Sequence, residues 1–157
     1  MVVHAEVNAA DGPVICPYPP TPQNSLFFYI DDRIKMQIDG QEEFTWQPRS
    51  VIVGPQLTSV RLDINKSHKA VRVGFHPGGL HRLLGFSLSE MIDISFDAED
   101  IFGPEIKQLN NELQEAVSFD NINEEIQQFL LKKIKTLKPA LPIDMAMLEL
   151  VRMNGNT

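Results

Sequence analysis

Cysteine is nearly absent from this chain: a single thiol, Cys16, stands in 157 residues. A lone cysteine excludes an internal disulfide. Residues 1–11 carry neither a basic n-region nor an apolar h-region, so the expected setting is a reducing, cytoplasmic one. Cys16 lies between Ile15 and Pro17 with no basic neighbour to stabilise a thiolate, which argues against a nucleophilic role. Positive charge is scarce too. Lys and Arg number 14 against 21 Asp and Glu, a net charge of −7. Such a chain repels a phosphate backbone, so direct binding of nucleic acid by these residues is not expected. No apolar run approaches the ~20 residues of a membrane helix. Neither a Gly-x-Ser-x-Gly elbow nor a phosphate-cradling glycine loop followed by Lys-Ser/Thr is present. The histidines His4, His68, His76 and His81 include no His-x-His pair with a downstream glutamate, so no metal and no cofactor are expected. Glu42, Glu43, Asp97, Glu99 and Asp100 fall in turns or at helix starts, where capping and the helix dipole account for them. Asp100 is the expected cap of a helix that begins at Ile101.

What is present divides the chain in two. The first part reads as short β runs. Residues 1–12 are expected as a mixed lead-in, and Pro17, Pro19, Pro20 and Pro22 as an extended approach to the first strand. Strands are predicted over 26–30, 34–38, 44–46, 50–54, 60–64 and 70–75, from aromatic and β-branched runs or period-two alternation. Asp39 and Gly40 signal a hairpin turn, and Asn65, Lys66, Ser67 and His68 read as another. Strands of this length and spacing suit an antiparallel sandwich or a small barrel. Such a fold can hold one ligand among its inward positions. The candidate lining is Phe28, Ile30, Met36, Trp46 and Phe75, with Arg72 or Arg61 to orient a carboxylate. The same residues would equally serve as plain core.

The second part is helical. Leu80, Leu83 and Leu84 recur at helical spacing between Gly79 and a terminating Gly85. Ser87 with Glu90 has capping-box spacing. A helix is predicted over 101–117, with Ile106, Leu109, Leu113 and Val117 on one face. The next starts at a cap on Asp120 or Asn121 and carries Ile122, Ile126, Phe129, Leu130, Ile134 and Leu137 as a stripe. That stripe fits the core by default. Ile122, Ile126, Phe129, Leu130 and Ile134 are also the candidates for a two-fold dimer interface. Pro139 and Pro142 break the chain before a last amphipathic helix over 143–153, and Asn154 and Gly155 read as its stop.

Where the two parts meet, the sequence FHPGGLHRLLG runs over 75–85. Ser89, Glu90 and Met91 follow, then DAEDIFG over 97–103. The pattern Phe-x-Pro-Gly-Gly-Leu-x-Arg-Leu-Leu-Gly with these sequels resembles the N-terminal domain of a subset of AraC/XylS-type transcription regulators. The resemblance spans about residue 13 to the last residues and is densest over 75–103. It implies an α+β fold: an N-terminal antiparallel cupin-like β-barrel or sandwich, followed by amphipathic helices. The implied organisation is a lead-in (1–12), a cupin-like β domain with short helices (13–100), a helical subdomain that is the candidate dimerisation region (101–138), and a linker with the start of a connection (139–157). The implied role is regulatory and non-enzymatic: sensing a small-molecule effector, forming a homodimer, or both. DNA contacts would belong to a C-terminal helix-turn-helix domain outside this chain, with no membrane partner. Ligand or dimer contacts would reach that domain through the Pro139 and Pro142 hinge. The rival from another class is a cupin-type small-molecule-binding protein or enzyme, an isomerase or oxygenase, which would need a cluster of metal ligands.

Overall fold

The computed structural model describes residues 2–8, 14–64, 67–85 and 87–153. Nine strands form among them: β1 (Val2–Asn8), β2 (Val14–Tyr18), β3 (Ser25–Tyr29), β4 (Lys35–Ile38), β5 (Thr45–Trp46), β6 (Ser50–Val53), β7 (Val60–Ile64), β8 (Ser67–Gly74) and β9 (Ser95–Asp97). The helices are α1 (Gly79–Leu84), α2 (Ala98–Phe102), α3 (Pro104–Glu115), α4 (Phe119–Ile134) and α5 (Pro142–Arg152), with a 3₁₀ turn at Leu88–Met91. The strands pair antiparallel in two sheets, ordered β1-β8-β3-β6-β9 and β2-β7-β4-β5. Among the described residues no ladder joins the two sheets into a closed barrel. The α+β expectation therefore holds, and the β part is a pair of facing sheets.

The five-stranded sheet is the middle layer, covered on both faces. On one face Leu26, Phe28, Ile52, Val71 and Val73 pack against Ile106, Leu109, Leu113, Ile122 and Ile126 of α3 and α4. On the other, Tyr29, Val51 and Ala70 meet Ile34, with Phe27, Val53 and Leu62 at their margin. Two covered faces explain why β3 is apolar at successive positions, where a half-buried strand would alternate. Asn110, with Ser50 opposite it, is buried and polar under the helices. Its Nδ2 donates to Ser50 Oγ at 3.0 Å and to Glu99 Oε1 at 3.1 Å, which ties α3 to β6 and α2.

Several local expectations need correction. Residues 2–8 are not a lead-in but the edge strand β1, paired with β8 from Val2 opposite Val73 to Asn8 opposite Ser67. A mixed sequence suffices there because the backbone ladder, rather than an alternating apolar face, places it. Residues 9–13 lie outside the described residues. β2 contains Pro17, which an edge strand tolerates. Ser67 and His68 extend β8 instead of turning, while 65 and 66 lie outside the description. The helix expected over 101–117 is two helices, because Gly103 breaks it ahead of Pro104. The cap of α2 is Asp97, whose Oδ1 accepts the Glu99 N–H at 2.9 Å, and Asp100 sits in the first turn. Ser118, not Asp120 or Asn121, caps α4, its Oγ accepting the Asn121 N–H at 3.3 Å. Glu90 reaches back to the Ser87 N–H at 3.0 Å as expected, but the Ser87 hydroxyl pairs with Ser89. The expected stop at Asn154 and Gly155 falls outside the described residues.

Candidate ligand site between the sheets

The register of the middle sheet places Phe27 opposite Arg72 and Tyr29 opposite Ala70, all on the face toward the second sheet. Ala70 is small, and the facing Ile34, Leu62 and Ile64 do not fill the space above it. A cavity of about 170 Å³ results, bounded also by Tyr18 and His68. A smaller recess of about 30 Å³, bordered by Met36, adjoins Phe27, Tyr29 and Leu62.

The polar groups around this cavity are few and held in place. Arg72 Nε donates to Ser25 Oγ at 2.8 Å, and its Nη2 donates to Gln23 Oε1 at 2.8 Å. Its guanidinium carbon lies 5.7 Å from the centroid of the Phe27 ring. Both acceptors are neutral, so they orient the cation without balancing its charge. Burial, with Tyr18 beside it, pushes the Tyr29 phenol far above the ordinary tyrosine range, so Tyr29 stays protonated at any physiological pH. His68 is only 8 % exposed, and its Nδ1 has no hydrogen-bond partner. Burial lowers its pKa from the usual 6.5, although Asp31 and Asp32 pull the other way.

A pH dependence follows. Below pH 6.5 the unfolded chain takes up a proton at His68 that the folded chain resists, so acid favours unfolding. His68 therefore contributes stability that is whole above pH 6.5 and is lost as the pH falls toward its folded-state value. Urea midpoints measured from pH 7.5 to pH 5 should decline, and His68→Gln should flatten the decline. An unchanged slope in that variant would remove His68 from the acid sensitivity.

The structure scatters the sequence-predicted lining. Met36 and Arg72 border the inter-sheet space. Phe28 and Ile30 do not: they point the other way, into the core under the helices. Alternation is sound along β3, but a strand apolar on both faces does not say which phase faces the second sheet. Phe27 and Tyr29 are the inward residues, with Ser25 and Gln23 as supports that nothing in the sequence pattern marked. Trp46 is 52 % exposed on the edge strand β5, with Lys35 Nζ 4.7 Å and the Arg33 guanidinium 5.5 Å from its ring centroid. Its fluorescence therefore reports on the sheet edge, not on the cavity. Arg61 is exposed on β7.

The dimer candidates divide in the same way. Ile122, Ile126 and Phe129 are buried in the chain's own core and leave no surface for a second copy. Leu130 is half-buried, and Ile134 is 51 % exposed. Phe75, expected in the β interior, instead joins these two in a groove of about 310 Å³, which Pro77, Leu83 and Leu148 also line.

That groove explains the 75–85 motif residue by residue. Leu80 is buried, and Leu83 and Leu84 pack on the same core. Gly85 closes α1, its N–H donating to His81 O at 2.7 Å. Arg82 Nε donates to Lys138 O at 2.9 Å, and the Lys138 N–H donates to Arg82 O at 3.0 Å. Gly78 makes room for the buried Asp144 of α5, whose Oδ2 accepts the Leu141 N–H at 2.8 Å. A second groove, of about 330 Å³ between α3 and α4, is polar, with Glu112, Glu125 and Lys132 on its walls and Glu105 paired to Lys133. Among the described residues no group of three His, Cys, Asp or Glu converges as a metal site. No described helix is long and apolar enough to cross a membrane. No family model matches this sequence, and no curated protein matches it.

Proposed function

We propose that the chain is the regulatory module of an AraC/XylS-type transcription factor, with a cupin-like β part. It takes a small effector between its two sheets and passes occupancy on to its last helix. The observation that carries this reading is the seat of α5 on the turn that ends β8. Strand β8 supplies His68, Ala70 and Arg72 to the cavity. It then runs through Phe75 into Gly78, against which Asp144 is packed. One rigid strand thus touches both the effector space and the helix that would lead to a DNA-binding domain. A common element biased at both ends is the physical requirement for coupling. The Arg82 and Lys138 pair fastens the chain just before Pro139, so the hinge begins after Lys138. Self-association, if it accompanies sensing, must use apolar side chains still exposed, such as Leu131, Ile134 and Ile143, because Ile122, Ile126 and Phe129 are already buried.

The test is to express the gene through its own stop codon and compare the product with this chain in DNA binding across a salt series. The longer protein should bind DNA with a steep loss of affinity as salt rises, and this chain, at net charge −7, should not. An extension that is neither basic nor DNA-binding, or a gene that ends at Thr157, would overturn the regulator reading. The cupin-type binding protein or enzyme would then be the reading to pursue.

A further inference from the structure

We infer that the inter-sheet cavity takes a small monocarboxylate, its acid group against Arg72 and its apolar body between Phe27 and Leu62. The inference deepens the sensing reading and rests on it for the cavity's being a binding site. Charge is its first support. Arg72 is half-buried, yet no carboxylate of the described residues pairs with it. A desolvated cation without a counter-charge is costly, and an anionic ligand removes that cost. This is notable in a chain with 21 acidic residues, because acceptors of the right sign are plentiful and none of the described ones is placed here.

Geometry is the second support. Ser25 and Gln23 fix one side of the guanidinium through Nε and Nη2. Nη1 has no acceptor among the described residues, so the planar fork is presented already oriented. Phe27 lies beside the guanidinium, providing an apolar wall next to the charge. The far end of the cavity is set by His68, four residues along β8 and so about 13 Å away by strand rise.

Size and charge narrow the class. A space of about 170 Å³ is filled by a ligand body of about one ring. A single guanidinium balances a monoanion, whereas phosphate esters call for more cationic partners.

The probes are phenylacetate and 4-hydroxyphenylacetate, each with its neutral amide, titrated into the full chain and followed by calorimetry and by the ring resonances of Phe27 and Tyr29. The acids should bind about tenfold or more tightly than the amides. Arg72→Gln should abolish that preference by weakening the acids far more than the amides, with Arg72→Lys intermediate. Arg72→Lys also guards against misfolding, since it keeps the charge if Arg72→Gln fails to fold. Equal binding of acids and amides would overturn the carboxylate inference while leaving the cavity a ligand site. Failure of all four probes to move the Phe27 and Tyr29 resonances would overturn both the inference and the sensing use of this cavity.

Discussion

Gly54→Ala should lower the melting temperature by roughly 10 °C, among the largest losses expected from adding one methyl group anywhere in this chain. Gly54 follows β6, and its N–H donates to Ile94 O at 3.2 Å. A Cβ built there overlaps the carbonyl oxygen of Met91 and lies 2.7 Å from Met91 Cβ and 2.8 Å from its carbonyl carbon. These are backbone or near-backbone atoms, so no rotamer change relieves the overlap. The 3₁₀ turn at Leu88–Met91 must lift, and Met91, fully buried in the larger core, goes with it. Losing a buried methionine from its site costs about 2–5 kcal/mol. Met91→Ala alone should cost a similar amount. The double variant should fall short of the sum, because Met91 can leave the core only once. A melting temperature within about 2 °C of the parent for Gly54→Ala would show that the turn yields freely and would defeat the prediction.

Gly78→Ala should leave both sheets folded and release α5. Gly78 has φ of 75°, where an L-residue costs about 1 kcal/mol. The added Cβ also overlaps the Asp144 carboxyl group and comes within 2.9 Å of Asp144 Cβ, which moves only if α5 moves. Together these amount to about 2–3 kcal/mol against docking, a shift of roughly 30- to 160-fold in the docking equilibrium. Hydrogen exchange should show amides 145–152 losing protection while those of β3 and β8 keep theirs. Gly79→Ala is the matched control, since its Cβ would meet Phe75 Cβ at an ordinary 3.5 Å. Equal protection of α5 in both variants would mean that Gly78 is not its seat. On the proposed regulatory reading, with α5 carrying the signal, Gly78→Ala should uncouple effector binding from DNA affinity.

Local pattern reached far along this chain. The alternation of Val60, Leu62 and Ile64 marked β7, whose apolar side faces the interior, and that of Ile34, Met36 and Ile38 marked β4, where the polar Gln37 is nonetheless buried and donates to the Gln41 and Glu42 carbonyls. The FHPGGLHRLLG segment marked the change from strand to helix, since proline, glycine and leucine spacing constrain backbone on their own. Capping was legible in type but not in address: Asp97 and Ser118 perform the roles that neighbouring polar residues seemed equally able to fill. The edge strands β1 and β2 were not legible, because a partner strand's hydrogen bonds specify them and their own side chains do not.

The site was harder to read for a related reason. Leu26, Phe27, Phe28 and Tyr29 are apolar in succession, and nothing local distinguishes the pair that meets helices from the pair that meets a sheet. That choice belongs to α3 and α4, which cover Leu26 and Phe28 and leave Phe27 and Tyr29 to the cavity. Trp46 was an expected lining residue by its aromatic character, yet its strand lies at an edge, where a large ring between cations is stable in water. By itself, then, the sequence determined the α+β class, most strand and helix positions, and the turn at Gly78, because these depend on backbone preferences and short-range periodicity. The tertiary structure alone decided which face of β3 lines a cavity, that no carboxylate of the described residues pairs with Arg72 there, and that Asp144 closes on Gly78. Each of those depends on residues far apart in the chain, whose approach no local spacing encodes.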